Sequence, residues 1–255
     1  MNKKEAVIFD WAGTTVDYGS FAPVEVFTEV FREQGIEPTP AEVREPMGKL
    51  KWEHIRTMLE MDRIKKEWIE KYGRDPEDTD ADRMYESYEK QLLKILPQYA
   101  DPKPYVLETV QKLREKGIKI GSTTGYTDIM MDIVVPTAAK AGYSPDCWFS
   151  PDSCNKMGRP YPYMIFKNME TLKIDSVSKV IKAGDTVADI LEGKNAGVFT
   201  VGILEGSSVI GLTKAEFEAL TEEEKQARLE AAEKKYKEAG ADAVVRDIRG
   251  ILEYI

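Results

Sequence analysis

The chain of 255 residues has only two cysteines, one histidine and no long apolar run. Two cysteines, Cys147 and Cys154, are too few for a disulfide framework, so the sequence favours a reducing environment and a cytoplasmic location. The single histidine, His54, excludes a zinc site built from several imidazoles. No apolar run approaches the roughly 18 residues of a membrane span. The apolar part of the first ten residues is also too short for a signal peptide, so we expect no association with a membrane.

Basic residues are fewer than acidic ones. Lys and Arg number 36 against 45 Asp and Glu, which gives a formal net charge of −9. This balance argues against a nucleic-acid partner, because phosphate backbones require clustered Lys and Arg. An acidic chain also attracts anionic substrates poorly, unless a metal ion or a local basic cluster reverses the field at the site. With 42% hydrophobic and 32% charged residues, the composition is typical of a soluble globular protein.

The first hundred residues combine one predicted strand with a helical stretch. Residues 5–10 form a short apolar run that ends in Asp10 and is followed by Gly13, as expected of a buried strand with a loop at its carboxyl end. Residues from about 23 to 96 contain no comparable strand. Apolar residues at helical spacing, interrupted by prolines, predict four or five helices in this stretch.

After residue 97 the pattern alternates between strands and helices. Predicted strands are 118–124, 147–149, 177–185, 199–203 and 243–245, and predicted helices are 104–116, 127–141, 162–172, 188–196, 214–239 and 248–254. Such alternation favours parallel pairing with right-handed crossovers. We therefore predict an α/β fold with a Rossmann-like parallel-sheet core, formed by residues 1–20 and 98–255, and an inserted all-helical cap domain of residues 21–97.

Polar residues fall where the predicted strands end. In an open parallel sheet, ligands bind outside the carboxyl ends of the strands. Two carboxylates converging there beside a cation and a hydroxyl suit phosphoryl chemistry assisted by Mg²⁺, which prefers hard oxygen ligands. A carboxylate can also act as the nucleophile. The candidate residues are Asp10, Thr124, Gly125, Arg159, Asp185 and Asp189.

Four of these segments resemble the motifs of the haloacid dehalogenase superfamily. They are residues 10–16 (Asp-Trp-Ala-Gly-Thr-Thr-Val), Thr124, Arg159 in Gly-Arg-Pro-Tyr-Pro, and residues 184–189 (Gly-Asp-Thr-Val-Ala-Asp). The resemblance implies a core of that superfamily's type, with Mg²⁺ held by Asp10, the Ala12 carbonyl and Asp185. It further implies that Thr124, Gly125 and Arg159 bind phosphoryl oxygens, and that Asp189 orients Arg159 or a metal-bound water.

Position 12 departs from most phosphatases of the superfamily. They carry a second Asp there, which protonates the leaving group, whereas this chain has Ala12. General acid–base catalysis contributes about 10²–10⁴-fold to the rate, so a simple phosphatase would lose most of its activity. Three hypotheses remain: a phosphomonoesterase or phosphomutase, a catalytically silent scaffold, or an enzyme whose leaving group needs no acid.

The predicted cap offers a nucleophile of another kind. Residues 47–54 (Met-Gly-Lys-Leu-Lys-Trp-Glu-His) hold two lysines and the only histidine. A lysine beside another cation or in an apolar pocket has a lowered pKa and can form a Schiff base with a carbonyl. On a helix Lys51 and His54 share a face. We predict that Lys51 forms a Schiff base and that His54 moves protons at the imine.

The two groups of residues together resemble the phosphonatase family of phosphonoacetaldehyde hydrolases. The resemblance rests on residues 10–19, 47–48, 51–54, 123–127, 158–162 and 206–212. It implies Mg²⁺-dependent cleavage of the C–P bond of phosphonoacetaldehyde, a small-molecule substrate, to acetaldehyde and phosphate, through a Lys51 imine and an Asp10 aspartyl phosphate. It also implies that Met47 and Tyr126 line the pocket and that the protein is a homodimer. Ser20 stands where the family often has Cys, and this mechanism gives that position no covalent task.

Overall fold

The computed structural model describes residues 3–255 as an α/β fold with one parallel sheet. The strands are β1 (Ala6–Phe9), β2 (Lys119–Thr123), β3 (Cys147–Phe149), β4 (Val180–Gly184), β5 (Phe199–Ile203) and β6 (Ala243–Val245). The helices are α1 (Phe21–Glu33), α2 (Pro40–Arg44), α3 (Lys51–Leu59), α4 (Asp62–Tyr72), α5 (Asp78–Ile95), α6 (Val106–Glu115), α7 (Asp128–Lys140), α8 (Tyr163–Leu172), α9 (Val187–Ala196), α10 (Lys214–Ala219) and α11 (Glu222–Glu238).

The order of the strands places the site beside β1. The sheet runs β3-β2-β1-β4-β5-β6, and all neighbours are parallel. The chain leaves β1 to build β2 and β3 on one side and then crosses back to build β4, β5 and β6 on the other. The crevice at such a switch of direction is where open α/β sheets bind ligands. Phe9 is in register with Ser122 of β2 and Ala183 of β4, so the residues that follow these three strands meet at one edge.

An all-helical segment separates β1 from β2. It contains α1 to α5 and a short 3₁₀ helix, Leu96–Tyr99. Its interior is aromatic, because Phe27 stacks on Tyr88 with ring centroids 4.3 Å apart and on the ring of His54 at 3.7 Å. The predicted fold class, a parallel-sheet core with an inserted helical cap, is confirmed. The exact domain boundaries at residues 20/21 and 97/98 remain predictions.

The carboxyl-terminal part differs from the pattern predicted for it. Instead of one helix over residues 214–239 there are two, α10 and α11, because Thr221 begins a new helix. The Thr221 hydroxyl accepts a hydrogen bond from the Glu224 amide, and the Glu224 carboxylate accepts one from the Thr221 amide, an arrangement that stabilises a helix start. The segment Ile248–Tyr254 forms a 3₁₀ helix rather than an α-helix, and Val177–Lys179 a 3₁₀ turn before β4.

Within residues 3–255, no helix combines the length and the apolar character that crossing a bilayer requires.

Candidate active site

Asp10 and Arg159 meet at the carboxyl edge of the sheet. The Asp10 amide donates to the Ala183 carbonyl of β4, which fixes the loop directly after β1. The Asp10 carboxylate accepts a hydrogen bond from Arg159 Nη2 at 2.6 Å. Asp10 is 4% exposed and Arg159 3%, so this contact is shielded from solvent. A carboxylate held beside a cation in this way is suited to attack on an anionic phosphoryl group.

Asp185 lies across the site from Arg159 and is held on both carboxylate oxygens. Thr14 donates its hydroxyl to one oxygen at 2.8 Å, and the Ser208 amide donates to the other at 2.7 Å. Burial and then the charges of Asp10 and Asp189 raise the pKa of Asp185 to about 7. Gly13 makes this close packing possible, since a Cβ there would lie 2.2 Å from an Asp185 oxygen and its φ is +87°.

The donor set fits a hard divalent cation. Carboxylate oxygens of Asp10, Asp185 and Asp189 lie within 4.8 Å of one another, and all three residues are buried. The repulsion among these carboxylates, which contributes to the raised pKa of Asp185, is relieved when a cation binds between them. In residues 3–255 no hydrogen bond is donated to the Ala12 carbonyl, which leaves that oxygen free as a ligand. The three carboxylates and the Ala12 carbonyl together form a donor set that fits Mg²⁺, which prefers hard oxygen ligands.

A guanidinium bound by three carboxylates fixes the orientation of Arg159. Besides Asp10, its Nη2 lies 3.0 Å from Asp189, and its Nε donates to Glu192 at 3.1 Å. Burial opposes the charged form, but the three carboxylates outweigh it and raise the pKa of Arg159. Among the described residues, nothing accepts a hydrogen bond from Nη1, so this nitrogen is free to bind a ligand oxygen. The predicted contact between Asp189 and Arg159 is therefore present.

Thr124 and Gly125 follow β2 and lie under the cap. The Thr124 hydroxyl accepts a hydrogen bond from the Tyr126 amide at 3.0 Å and keeps its own proton available for a ligand. A Cβ at Gly125 would lie 3.2 Å from the Gly48 carbonyl and 3.3 Å from that of Lys49, so the cap loop closes directly over this residue.

Lys51 begins α3, and its free amine projects into a cavity between core and cap that Asp10 and Arg159 also line. It is 5% exposed, and in residues 3–255 its Nζ forms no hydrogen bond or ion pair. The ammonium lies 5.1 Å from the ring centroid of Tyr126 and 5.8 Å from that of Phe27. Burial lowers the pKa of Lys51 to about 8, although Asp10 partly offsets the effect. A buried amine of this kind is a nucleophile at neutral pH.

His54 lies one turn further along α3 and faces away from the cavity. Its ring is fully buried against Phe27, and its Nε2 is 2.9 Å from the Val43 carbonyl. Since a carbonyl only accepts, Nε2 carries the proton and Nδ1 is the free nitrogen. Burial and the nearby charge of Lys51 hold the pKa of His54 well below its usual range, so the ring is neutral. The predicted proton transfer by His54 remains a prediction.

Core and cap together enclose a small cavity of about 20 Å³. From the core it is lined by Asp10, Ala12, Thr124, Gly125, Tyr126, Arg159 and Thr186, and from the cap side by Ser20, Pro23, Met47, Gly48 and Lys51. Ten of the eleven predicted site residues thus either line this cavity or, like Asp185 and Asp189, contact the residues that do. The Asp10 carboxylate, the Arg159 guanidinium and the free amine of Lys51 thus line one small cavity.

Comparison with known proteins identifies the family of this chain. The sequence profile of the haloacid dehalogenase-like hydrolases matches residues 4–197. A phosphonoacetaldehyde hydrolase from Bacillus cereus is 48% identical over 256 residues, which cover 99% of this chain and 97% of the relative. The chain belongs to the phosphonoacetaldehyde hydrolase family. It is therefore a hydrolase of the haloacid dehalogenase superfamily, and the resemblance stated from the motifs is confirmed.

Other known proteins are similar to this chain in sequence or in structure. A bifunctional phosphonoacetaldehyde hydrolase/aminoethylphosphonate transaminase from Clostridioides difficile is 51% identical over 95% of this chain, which spans only 38% of that relative's length. The crystal structure of a phosphonoacetaldehyde hydrolase-like protein from Oleispira antarctica matches with a TM-score of 0.94 and 37% identity, covering 99% of this chain and 91% of that one. A hydrolase from Pseudomonas syringae, at 17% identity and a TM-score of 0.67, shares the fold.

The site contains two charged residues that the sequence patterns did not single out, Lys182 and Glu192. Lys182 lies in β4, fully buried, with its Nζ 2.8 Å from Asp189 and 3.3 Å from Glu192. Both the Lys182 and Arg159 side chains donate to the hydroxyl of Thr123, which in turn donates to Glu192 at 3.0 Å. Lysine in an otherwise apolar strand three residues before Asp185 is the signal that could have revealed this network, because a buried cation needs an acidic partner.

Lys103 is a second buried cation outside the predicted set. It follows the last helical turn of the cap segment and donates to the carbonyls of Gly13, Glu205 (2.9 Å) and Gly206 (3.0 Å). The Gly206 carbonyl also accepts a hydrogen bond from the Gly19 amide at 2.8 Å, and Gly19 lies where the chain enters the cap. Lys103 thereby fixes the loop after β1, the loop after β5 and the base of the cap.

We expect Glu192→Gln to weaken the binding of inorganic phosphate about tenfold to 100-fold, the effect of losing a charge-assisted hydrogen bond to Arg159. The substitution keeps the shape of the side chain but removes the anion opposite Arg159 and Lys182. Isothermal titration calorimetry measures the affinity, and thermal unfolding verifies that the variant is folded. Glu230→Gln, exposed on α11, is the matched control. Equal affinities in the two variants would contradict a positioning role for Glu192.

Proposed function

We propose that this chain hydrolyses the C–P bond of phosphonoacetaldehyde to acetaldehyde and phosphate, by way of a Lys51 Schiff base and an Asp10 aspartyl phosphate. The observation that carries the proposal is the free, buried amine of Lys51 in the same cavity as Asp10 and Arg159. A phosphoryl site does not need a nucleophilic amine, whereas a substrate that combines an aldehyde with a phosphonate engages both groups.

The first step joins the substrate to the cap. The Lys51 amine attacks the aldehyde carbon, and loss of water leaves a protonated imine in place of the carbonyl oxygen. The aromatic faces of Tyr126 and Phe27, at 5.1 Å and 5.8 Å from Nζ, stabilise this cation much as they stabilise the ammonium. The cation then lies next to the carbon that bears phosphorus.

The second step breaks the C–P bond. An Asp10 carboxylate oxygen attacks phosphorus as the bond to carbon breaks, and the electron pair of that bond flows through the carbon chain to the imine nitrogen. The organic product leaves phosphorus as an enamine on Lys51, so no acid is needed at the position of Ala12. Protonation of the enamine carbon and hydrolysis of the resulting imine release acetaldehyde, and water cleaves the aspartyl phosphate to phosphate.

The phosphonate oxygens need donors and countercharge throughout. Arg159 Nη1, the Thr124 hydroxyl and the Gly125 amide are the available donors. When Mg²⁺ is bound by Asp10, the Ala12 carbonyl and Asp185, it neutralises charge on the phosphoryl group. Asp189 forms ion pairs with Arg159 and Lys182, and their charges outweigh the effect of burial, so the pKa of Asp189 is lowered and it stays ionised. Its charge thereby holds Arg159 in place.

Ala12 weighs against an ordinary phosphomonoesterase, because a methyl group at that position cannot protonate a leaving alkoxide. Retention of Asp10, Asp185, Asp189 and Arg159 in one hydrogen-bonded site weighs against a silent scaffold. From the resemblance to the family we further propose a homodimer located in the cytoplasm, acting on a small molecule and not on nucleic acid.

We expect borohydride, added with acetaldehyde or phosphonoacetaldehyde, to leave a reduced adduct on Lys51, because the hydride traps the imine. Peptide mapping by mass spectrometry locates the adduct. Lys51→Arg should abolish it, since a guanidinium forms no such imine. The neighbouring Lys49, whose Nζ donates to Thr57 at 3.2 Å, provides the control Lys49→Arg, which should leave the adduct in place. Absence of an adduct on Lys51 would overturn the mechanism.

We expect Asp10→Asn to separate the two halves of the reaction. Without the carboxylate, phosphate release should fall by about 10³-fold or more, whereas trapping on Lys51 should continue, because imine formation does not use Asp10. Removal of Mg²⁺ with a chelator should produce the same separation in the unaltered protein. Phosphate assay and mass spectrometry measure the two halves. Asp62→Asn, at the exposed start of α4, is the control; turnover by Asp10→Asn would exclude an aspartyl phosphate.

We expect the rate of imine trapping to rise with pH and level off above pH 8. With the pKa of Lys51 at about 8, the neutral amine grows roughly 50-fold between pH 6 and pH 8. Trapping with acetaldehyde at a series of pH values measures this rate without C–P cleavage. A rate that continues to rise tenfold per pH unit to pH 10 would show an amine of ordinary pKa and contradict the role of burial.

A further inference from the structure

A larger cleft of about 800 Å³ adjoins the catalytic cavity. It is formed by α2 of the cap, the start of α9, the loop after β5 and one face of α11. Met47 and Thr186 line both the cleft and the cavity, so these two residues form the wall between them. The wall is tightly closed, since a Cβ at Gly48 would lie 2.5 Å from the Thr186 hydroxyl oxygen.

The catalytic cavity itself is too small for its substrate. At about 20 Å³ it has room for roughly one water molecule. Met47 and Thr186 separate the cavity from the cleft, so movement of the cap loop of Met47 and Gly48 away from Thr186 would join the two spaces.

The cleft is positively charged in an acidic protein. Arg44, Arg228 and Lys235 line it, against a single carboxylate, Glu45, although the chain as a whole carries −9. Arg44 is partly buried and donates to the carbonyls of Gly19 (2.8 Å) and Ser208 (3.1 Å). In residues 3–255 it forms no ion pair, although the charges of Asp17, Asp185 and Glu216 act on it from a distance. Its guanidinium also lies over the ring of Phe21, 5.0 Å from the centroid.

The two cations from α11 are distinguished by their lack of partners. Arg228 and Lys235 are seven residues apart, so they lie on one face of the helix, and both are exposed. In residues 3–255 neither forms an ion pair or a hydrogen bond. The other lysines near them on α11 do: Lys225 pairs with Glu222 at 2.8 Å, Lys234 with Glu238 at 3.8 Å and Lys237 with Glu233 at 2.5 Å.

We propose that Arg44, Arg228 and Lys235 form an access site that collects the dianionic phosphonate group of the substrate before the cap opens, and through which phosphate leaves. The proposal rests on the proposed function, because it takes the substrate to be an anion. A cleft lined by one sign of charge raises the local concentration of oppositely charged ligands, and the effect is removed by salt. The unpaired cations reverse the acidic field of the rest of the surface.

The experiment compares two variants of equal net charge. R228Q/K235Q removes both α11 cations of the access site, and K234Q/K237Q removes two paired lysines of the same helix that do not line the cleft. We expect R228Q/K235Q to lower kcat/KM for phosphonoacetaldehyde about fivefold at about 0.01 M ionic strength and to match the unaltered protein at about 1 M salt. The control variant should match the unaltered protein at both.

Two further readouts separate this proposal from the proposed function. The dissociation constant of inorganic phosphate, measured by titration calorimetry without turnover, should rise about fivefold in R228Q/K235Q at low ionic strength. Trapping of acetaldehyde on Lys51 should be unchanged, because that ligand carries no charge. Equal values of kcat/KM and of phosphate affinity in the two variants would overturn the access site. Absence of C–P cleavage in the unaltered protein, with the phosphate result intact, would overturn only the proposed function.

Discussion

The ion network around Arg159 is the interaction on which the rest of the site depends. A guanidinium that stays charged at any physiological pH is buried at the edge of the sheet, so it must be neutralised where it lies. Asp10, Asp189 and Glu192 supply that charge at 2.6, 3.0 and 3.1 Å, and Lys182 balances the excess of acid. The Asp10 carboxylate is thus oriented by the same guanidinium whose Nη1 is free to bind a ligand oxygen.

Core and cap contribute chemically different halves to one small volume. The core supplies carboxylates, a guanidinium and hydroxyl donors, all at the ends of parallel strands. The cap supplies an amine against aromatic rings, in an environment that favours its neutral form. In the proposed mechanism the absence of a carboxyl at Ala12 and the presence of Lys51 are linked, because an electron sink on the substrate removes the need for an acid on the enzyme.

The strand ends were predictable because local sequence patterns define them. An apolar run that stops at an acid and is followed by glycine indicates where a buried strand ends. Contacts between side chains that are distant in the sequence could not be predicted in this way. Lys182 was missed because its contact with Thr123 arises only when β4 and β2 flank β1. For His54, helical spacing correctly predicted that it lies near Lys51. The spacing did not reveal that its ring turns to the Val43 carbonyl. The break before α11 follows from a Thr221–Glu224 capping pair that a long charged helix obscured.

The carbonyl of Gly206 accepts hydrogen bonds from Gly19, where the chain leaves for the cap, and from Lys103, where it returns. The two ends of the insertion are thus joined at a single oxygen atom of the core. The distance between the two ends of the insertion is therefore fixed where they meet the core, whatever the length of the cap between them. The entropic cost of closing a loop grows only slowly with length, so closing the insertion at this point sets little limit on its size. The apolar cluster that cap and core share then decides which helical insertions this core accepts.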